Sequence, residues 1–256
     1  MGNQTIQPSE NGNKKPLIEV KHVRKVYRMG DEKVIALDDV SLTIEKGEIV
    51  CFLGTSGSGK STFLNMVAGL EKPTKGEIYI GGIPIHKLNE SNVTLFRQKN
   101  IGFIFQAYHL MPMMTAVENV SLPLIFRGVE KKKRNSAAKE ILGAVGLKGY
   151  EKRKPSQMSG GQQQRVGIAR ALAGNPKIIF ADEPTGNLDT NTTKEVMNLI
   201  VNQVREHNQT LILVTHDRSI ASYADKVVTI QDGNIVNIEQ KTKEQNMQVG
   251  TKEEIS

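Results

Sequence analysis

Gly54-Thr55-Ser56-Gly57-Ser58-Gly59-Lys60-Ser61 follows directly on the apolar run Ile49-Val50-Cys51-Phe52-Leu53 and leads into a segment with Phe63, Leu64, Met66, Val67 and Leu70 at helical spacing. The octapeptide fits the pattern G-x-x-x-x-G-K-[ST] in the setting that pattern requires, with a strand before it and a helix after it. Its three glycines let successive backbone N–H groups turn into one concavity. The helix starting near Lys60 adds its positive dipole end to that concavity. A plain strand-to-helix turn needs one or two glycines and has no use for Lys-Ser at these offsets. The stretch reads as a nucleotide-phosphate site, with Lys60 reaching the β- and γ-phosphates and the Ser61 hydroxyl on Mg²⁺.

The remaining composition is that of an ordinary α/β protein. The 256 residues are 38% hydrophobic and 24% charged, enough to bury a substantial core. No apolar run approaches the ~20 residues of a membrane-spanning helix, and the start of the chain lacks a signal-peptide core. A cytoplasmic location is expected, with any membrane association made through a partner. The single cysteine, Cys51, lies in the strand before the phosphate loop and reads as a small buried residue. The net charge of +7 is read as scattered basic residues with local runs at Lys131-Lys132-Lys133-Arg134 and Lys152-Arg153-Lys154. Aromatics make up only 5%, so no stacking platform for nucleic acid is expected.

Taken in order, residues 1–15 and 239–256 lack periodicity and read as disordered tails around a domain at 16–238. Residues 17–27 read as an exposed antiparallel strand, and 34–50 as two strands about the turn Glu45-Lys46-Gly47-Glu48. Short strands are expected at 77–80 and 101–105, the latter ending at Gln106. Residues 107–115, with Tyr108, His109, three methionines and Pro112, are apolar yet fit no regular element. They read as a covered or docking surface. Helical spacing returns at 117–126 and 138–145, and again after Ser159-Gly160-Gly161-Gln162. Fully apolar strands at 178–181 and 210–215 suit a parallel sheet buried on both faces. An amphipathic helix is expected over 192–207, and a hairpin over 226–238 about Asp232-Gly233.

Three further features carry chemistry. Asp182-Glu183 closes a buried strand, the position from which an acid beside a phosphate loop holds Mg²⁺. Asp182 takes that role, and Glu183, one residue on, takes a proton from attacking water. Ser159 and Gln162 have the spacing of a capping box, so this segment is at least a helix start. A cap does not need Gly160 and Gly161, whereas a backbone that closely approaches a phosphate does. Two phosphate-gripping helix starts in one chain suggest two nucleotides shared between two subunits.

Gly54–Ser61, Gln106, Ser159–Gln162, Asp182-Glu183, Asn187-Leu188-Asp189 and His216 stand in the order and spacing of the ATP-binding cassette ATPases, which the chain resembles over about residues 17–238. Asp182-Glu183-Pro184-Thr185-Gly186-Asn187-Leu188-Asp189, with Leu110-Met111-Pro112 and Glu118-Asn119-Val120-Ser121-Leu122-Pro123, is most similar to the macrolide-exporter and lipoprotein-release subfamily. Antimicrobial-peptide pumps and a cell-division ATPase belong there too. Met158 and Thr55 depart from the commonest pattern without removing a phosphate contact.

The resemblance implies an α/β P-loop fold with a RecA-like core sheet, an antiparallel β subdomain and a helical subdomain at about 107–170. It also implies ATP and Mg²⁺ as cofactors. Gly54, Thr55, Ser56, Gly57, Ser58, Gly59, Lys60, Ser61 and Thr62 would wrap the phosphates, and Tyr27 would stack on adenine. Ser61, Gln106 and Asp182 would hold the metal. Ser159, Gly160, Gly161 and Gln162 would contact ATP held by the opposite subunit of a homodimer. Asp189 would couple the two sites, unless it only caps the following helix. His216 would hold the γ-phosphate and orient Glu183.

A transmembrane permease is expected to dock near residues 107–115 at the inner face of the membrane. The motor would drive either an exporter or extractor, or a mechanical device that transports nothing. A phosphotransferase, the third possibility, has no use for Ser159–Gln162.

Overall fold

The computed structural model describes residues 15–241. The expected tails lie outside these residues almost entirely. The exception is at 239–240, where the chain continues a strand.

Two-sided burial decides the architecture. β3 (Ile49–Leu53), β7 (Ile178–Asp182) and β8 (Thr210–Thr215) are buried almost throughout. They run parallel with β6 (Ile101–Phe105) and β9 (Lys226–Gln231), and β10 (Asn234–Gln240) adds an antiparallel edge. The resulting six-stranded sheet has the order β10-β9-β3-β8-β7-β6. Because side chains alternate along a strand, each core strand feeds two cores. Ile49, Cys51, Ile179, Ala181, Leu211 and Leu213 point to one core. Val50, Phe52, Ile178, Phe180, Ile212 and Val214 point to the other.

The first core is covered by α3 (Ala116–Phe126), α4 (Lys131–Ala144), α5 (Gly160–Leu172), α6 (Thr190–Glu206) and α7 (Arg218–Ala221). The second is covered by α1 (Lys60–Val67) and an antiparallel sheet of β1 (Ile18–Met29), β2 (Glu32–Ile44), β4 (Lys75–Ile80) and β5 (Ile83–Pro84), in the order β2-β1-β4-β5. The fold is thus the expected α/β arrangement of a parallel core sheet, a smaller antiparallel sheet and a group of helices.

Cys51 is fully buried, and burial pushes its thiol up to about 12, so it packs as an apolar residue. β5, α7 and α2 (Glu90–Asn100) were not anticipated. α2 buries only Val93 and is started by Asn89, whose side chain accepts from the Asn92 N–H. No helix among the described residues is long and apolar enough to cross a membrane.

The parallel register places the working residues on one edge. Leu53 lies opposite Thr215, Asp182 opposite Val214, and Phe105 opposite Asp182. The segments leaving the carboxyl ends of β3, β6, β7 and β8 therefore converge, as in other open parallel sheets. The β9–β10 turn is wedged in beside them. Gly233, at φ +76°, donates its N–H to the Ser58 carbonyl at 3.0 Å and accepts from the Asp38 N–H at 2.9 Å. A Cβ there would lie 2.9 Å from the Ala36 carbonyl oxygen, whereas one on Gly81, also left-handed, meets nothing within 4 Å.

Gly81→Ala is therefore expected to cost about 1 kcal/mol in backbone strain alone. Gly233→Ala should cost roughly 2–3 kcal/mol, because a clash is added to the strain. Equilibrium unfolding of the two variants compares them directly, and equal losses would show that the wedge is not tightly packed.

Candidate functional site

The phosphate loop ends in Gly59, which caps α1 from a left-handed conformation at φ 105° and supplies no side-chain cap. The first-turn N–H groups of α1, which have no partner within the helix, are thereby left for a ligand. Lys60 is buried, and its Nζ donates to the Thr55 carbonyl at 2.6 Å and to Ser58 Oγ at 3.4 Å, across the mouth of the loop. Burial lowers its pKa from the ordinary lysine value, while the Glu183 and Asp182 carboxylates oppose that shift.

A cavity of about 1140 Å³ opens over this loop. Its walls include Gly54 to Gly57, Gly59 to Thr62, Gln106, Asp182, Glu183 and His216. Residues more than 160 apart in sequence thus reach one concavity, large enough for a nucleotide.

Glu183 sits in the left-handed region at φ 46°, which is uncommon for a residue with a side chain. It is fixed from three sides. Its N–H donates to the Val214 carbonyl at 3.0 Å, the Thr215 hydroxyl donates to Oε2 at 3.2 Å, and His216 Nδ1 lies 2.8 Å from Oε1. The expected contact between His216 and Glu183 is therefore present. Gln106 lies against the following turn, with Asn187 Nδ2 donating to its carbonyl at 2.9 Å.

The Asp182 carboxyl is raised above the ordinary aspartate value, first by burial and then by the neighbouring Glu183 charge, with Lys60 pulling it back. Ser61, Gln106 and Asp182 together offer a hydroxyl, an amide oxygen and one carboxylate. Such hard oxygen donors suit Mg²⁺, which normally completes its shell with water and substrate phosphates. Among the described residues, no three His, Cys, Asp or Glu side chains group so as to hold a metal. The donor set therefore fits a metal that arrives with phosphate.

Ser159, Gly160, Gly161, Gln162 and Asp189 lie elsewhere, on a separate groove of about 400 Å³ shared with Arg165 and Thr192. The capping box is formed in full: Ser159 N–H donates to Gln162 Oε1 at 3.1 Å, and Gln162 N–H to Ser159 Oγ at 3.3 Å. The two glycines also have neighbours within the chain: a Cβ on Gly161 would lie 2.8 Å from the Thr192 methyl, and one on Gly160 would lie 3.0 Å from the Tyr108 hydroxyl. Asp189 does cap α6, accepting from the Asn191 and Thr192 N–H groups at 3.1 and 3.0 Å. The Thr192 hydroxyl and N–H hold its carboxyl below the usual range.

Tyr27 stands beside the cavity, paired across the strands with Val34 of its wall; its hydroxyl donates to Glu71 at 2.6 Å, and Lys25 Nζ stands 5.0 Å over its ring. The apolar wall beside the loop belongs to Val34 and Ile35, which were not singled out from sequence. Both are exposed and adjacent on β2, where alternation would leave only one of them facing the core. That break in the pattern was the available signal. Arg218 and Asp232, also on the cavity wall, carried no signal in sequence.

The profile of a family described as ABC transporter matches residues 37–186. An uncharacterized ABC transporter ATP-binding protein of Methanocaldococcus jannaschii is 49% identical over 222 residues, 87% of this chain and 99% of that protein. The macrolide export ATP-binding/permease protein MacB of Salmonella typhi is 44% identical over 232 residues, 90% of this chain but only 36% of MacB. Among solved structures, the ATP-binding cassette MJ0796, in a dimeric post-hydrolysis state bound to ADP and Pi, superposes with a TM-score of 0.81 at 44% identity. The match covers 87% of this chain and 98% of that one.

Asp182→Asn removes a buried carboxylate that sits beside Glu183. The nucleotide-free variant should melt at a higher temperature than the wild type, because the charged form of Asp182 is the disfavoured one. Its Mg²⁺ requirement for turnover should rise roughly 10-fold or more. A magnesium titration of ATP hydrolysis, paired with calorimetry, reads both effects.

Proposed function

The chain belongs to the ABC transporter family, as an ATP-hydrolysing subunit, and on that premise we propose that it powers a membrane exporter or extractor of the macrolide, lipoprotein or antimicrobial-peptide type. The observation that carries the catalytic part is the seating of Glu183. Its carboxylate is held by Thr215 and His216 on the wall of the cavity that contains Lys60.

Glu183 accepts a proton from the attacking water, and His216 fixes the orientation of that carboxylate. Lys60 and the first-turn N–H groups of α1 hold the phosphates of ATP. Ser61, Gln106 and Asp182 would hold Mg²⁺, which neutralises charge on the phosphates when bound. Tyr27 would stack on adenine, with Val34, its partner across the strand pair, and Ile35 adding apolar surface beside the loop.

Two copies pair so that the Ser159–Gln162 tip of one faces the nucleotide of the other. The separation of that tip from the chain's own cavity supports this pairing, as does the dimeric state of the similar cassette. The exporter assignment is supported by the likeness to MacB, whose printed name joins an ATP-binding part to a permease.

The permease, on another chain or segment, docks on the apolar surface at residues 107–115 and on the groove beside it. Met113 there is 77% exposed, and Phe126, at 68%, lines a groove of about 320 Å³ with Leu70, Phe103, Leu122 and Pro123. Arg170 borders that groove and donates to the carbonyls of Tyr108 and His109, two residues from Gln106. Docked in this way, the chain would work at the inner face of a membrane.

Glu183→Gln should retain ATP binding, lose turnover by about 10²–10⁴-fold, and accumulate a dimer on size exclusion with ATP. Unimpaired hydrolysis would remove Glu183 from the base role. Met113→Asp with Phe126→Asp should leave basal hydrolysis within about twofold while abolishing stimulation by the permease, since a buried charge opposes an apolar seat.

A further inference from the structure

The net charge of +7 is not scattered. Ten of the 34 lysines and arginines but only three of the 27 acidic residues fall within residues 127–154, leaving 24 of each sign over the rest of the chain. One lobe, built around α4, therefore carries the whole excess.

Two of its arginines have structural work. Arg127 donates to the carbonyls of Gln98, Lys99 and Gly174, and Arg134 to that of Val129. Arg153 stacks over the Tyr150 ring at 4.1 Å. The remaining seven basic residues are the exposed lysines Lys131, Lys132, Lys133, Lys139, Lys148, Lys152 and Lys154. None of them forms an ion pair among the described residues. Of the nearby acids, Glu118 is engaged by the Thr115 N–H and hydroxyl and Glu151 by the Gly149 N–H, while Glu130 stands at the N-cap of α4 and Glu140 on its exposed side.

Lys131-Lys132-Lys133-Arg134 also stands on the wrong end of its helix. It fills the first turn of α4, where the dipole is positive, with no acidic residue in that turn and no side-chain cap. Like charges crowd one another there as well. A sequence that breaks a local stability rule with only Glu130 at the N-cap to offset it points to a task outside the fold. Exposed Ile125 stands just before this turn, so an apolar residue adjoins the cationic ones, the composition of an interfacial membrane contact.

We propose that this lysine-rich face of residues 125–154 docks on the anionic headgroups of a lipid bilayer, beside the permease seat. The proposal rests on the membrane-facing reading of the preceding subsection. Lysine suits this partner, because its compact charge is attracted to a diffuse negative surface without requiring fixed geometry. Nucleic acid fits less well, since the face offers no series of aromatic rings for bases.

The test uses the full chain, with flotation on phosphatidylcholine vesicles with and without phosphatidylglycerol. Binding is expected only with the anionic lipid, and it should fade as salt shortens the range of the field. The variant K131E/K132E/K133E should lose vesicle binding by roughly 100-fold or more. It should also melt at a higher temperature, because acids now face the helix dipole, and it should hydrolyse ATP normally. K46E/K75E/K194E, with the same change of charge at exposed sites outside the lobe, should still bind. Equal loss in both variants, no preference for anionic vesicles, or tighter binding to duplex DNA would each overturn the proposal. Stimulation of hydrolysis by the permease, measured separately, distinguishes the two readings. Vesicle binding without stimulation sinks the permease seat alone, and stimulation without vesicle binding sinks the lipid surface alone.

Discussion

The arrangement of the cavity depends on backbone crowding around the phosphate loop. A Cβ on Gly54 would lie 2.3 Å from the Ile230 carbonyl oxygen, and one on Gly59 would lie 2.5 Å from that of Ala36. The Ser58 carbonyl takes the Gly233 N–H. An anion nest points several N–H dipoles at one empty volume, a conformation the loop would not favour in isolation. Here it is held by β2, which belongs to the antiparallel sheet, and by the β9–β10 turn of the parallel one. Both cores therefore meet at the loop, and packing far from the cavity fixes where its donors point.

The same edge concentrates charge on the cavity wall. Lys60, Asp182 and Glu183 line one wall. Burial disfavours the charged form of both Lys60 and Asp182, and each partly compensates the other. Such a site is unstable relative to a neutral one and gains its balance when phosphate and a divalent cation arrive together. That is the trade between fold stability and function seen where binding groups are preorganised.

Most of this was legible in sequence, for identifiable reasons. The buried strands at 178–182 and 210–215 announce themselves because both faces need apolar residues. The loop announces itself because its glycines and Lys-Ser have no cheaper use. α2 escaped notice because one buried residue, Val93, makes no stripe, although Asn89 was a readable cap. β10 outran its expected end because its polar residues, exposed at the edge of the sheet, look like a tail. The hydroxyl partner of Tyr27 was not legible, because Glu71 lies 44 residues away. Gly160 and Gly161 illustrate the limit most clearly. Sequence shows that something approaches them closely, but only the fold shows that Tyr108 and Thr192 do.

α5 joins these parts mechanically. Its tip holds Ser159 to Gln162. Midway, the fully buried Gln164 donates to the Pro184 carbonyl, one residue past Glu183, and near its end Arg170 holds the carbonyls of Tyr108 and His109. Those two residues both occupy the left-handed region, at φ 57° and 46°, a strained pair that needs such a clamp. A 13-residue helix of ~20 Å is long enough to act as a strut between these contacts. In the proposed pair of protomers, pressure on residues 107–115 reaches Arg170 first and the glycine tip last, with the Glu183 turn carried along through Gln164. A permease pushing on the docking surface would thus move one chain's tip and its own catalytic turn together, which ties the two nucleotides to each other through a single helix.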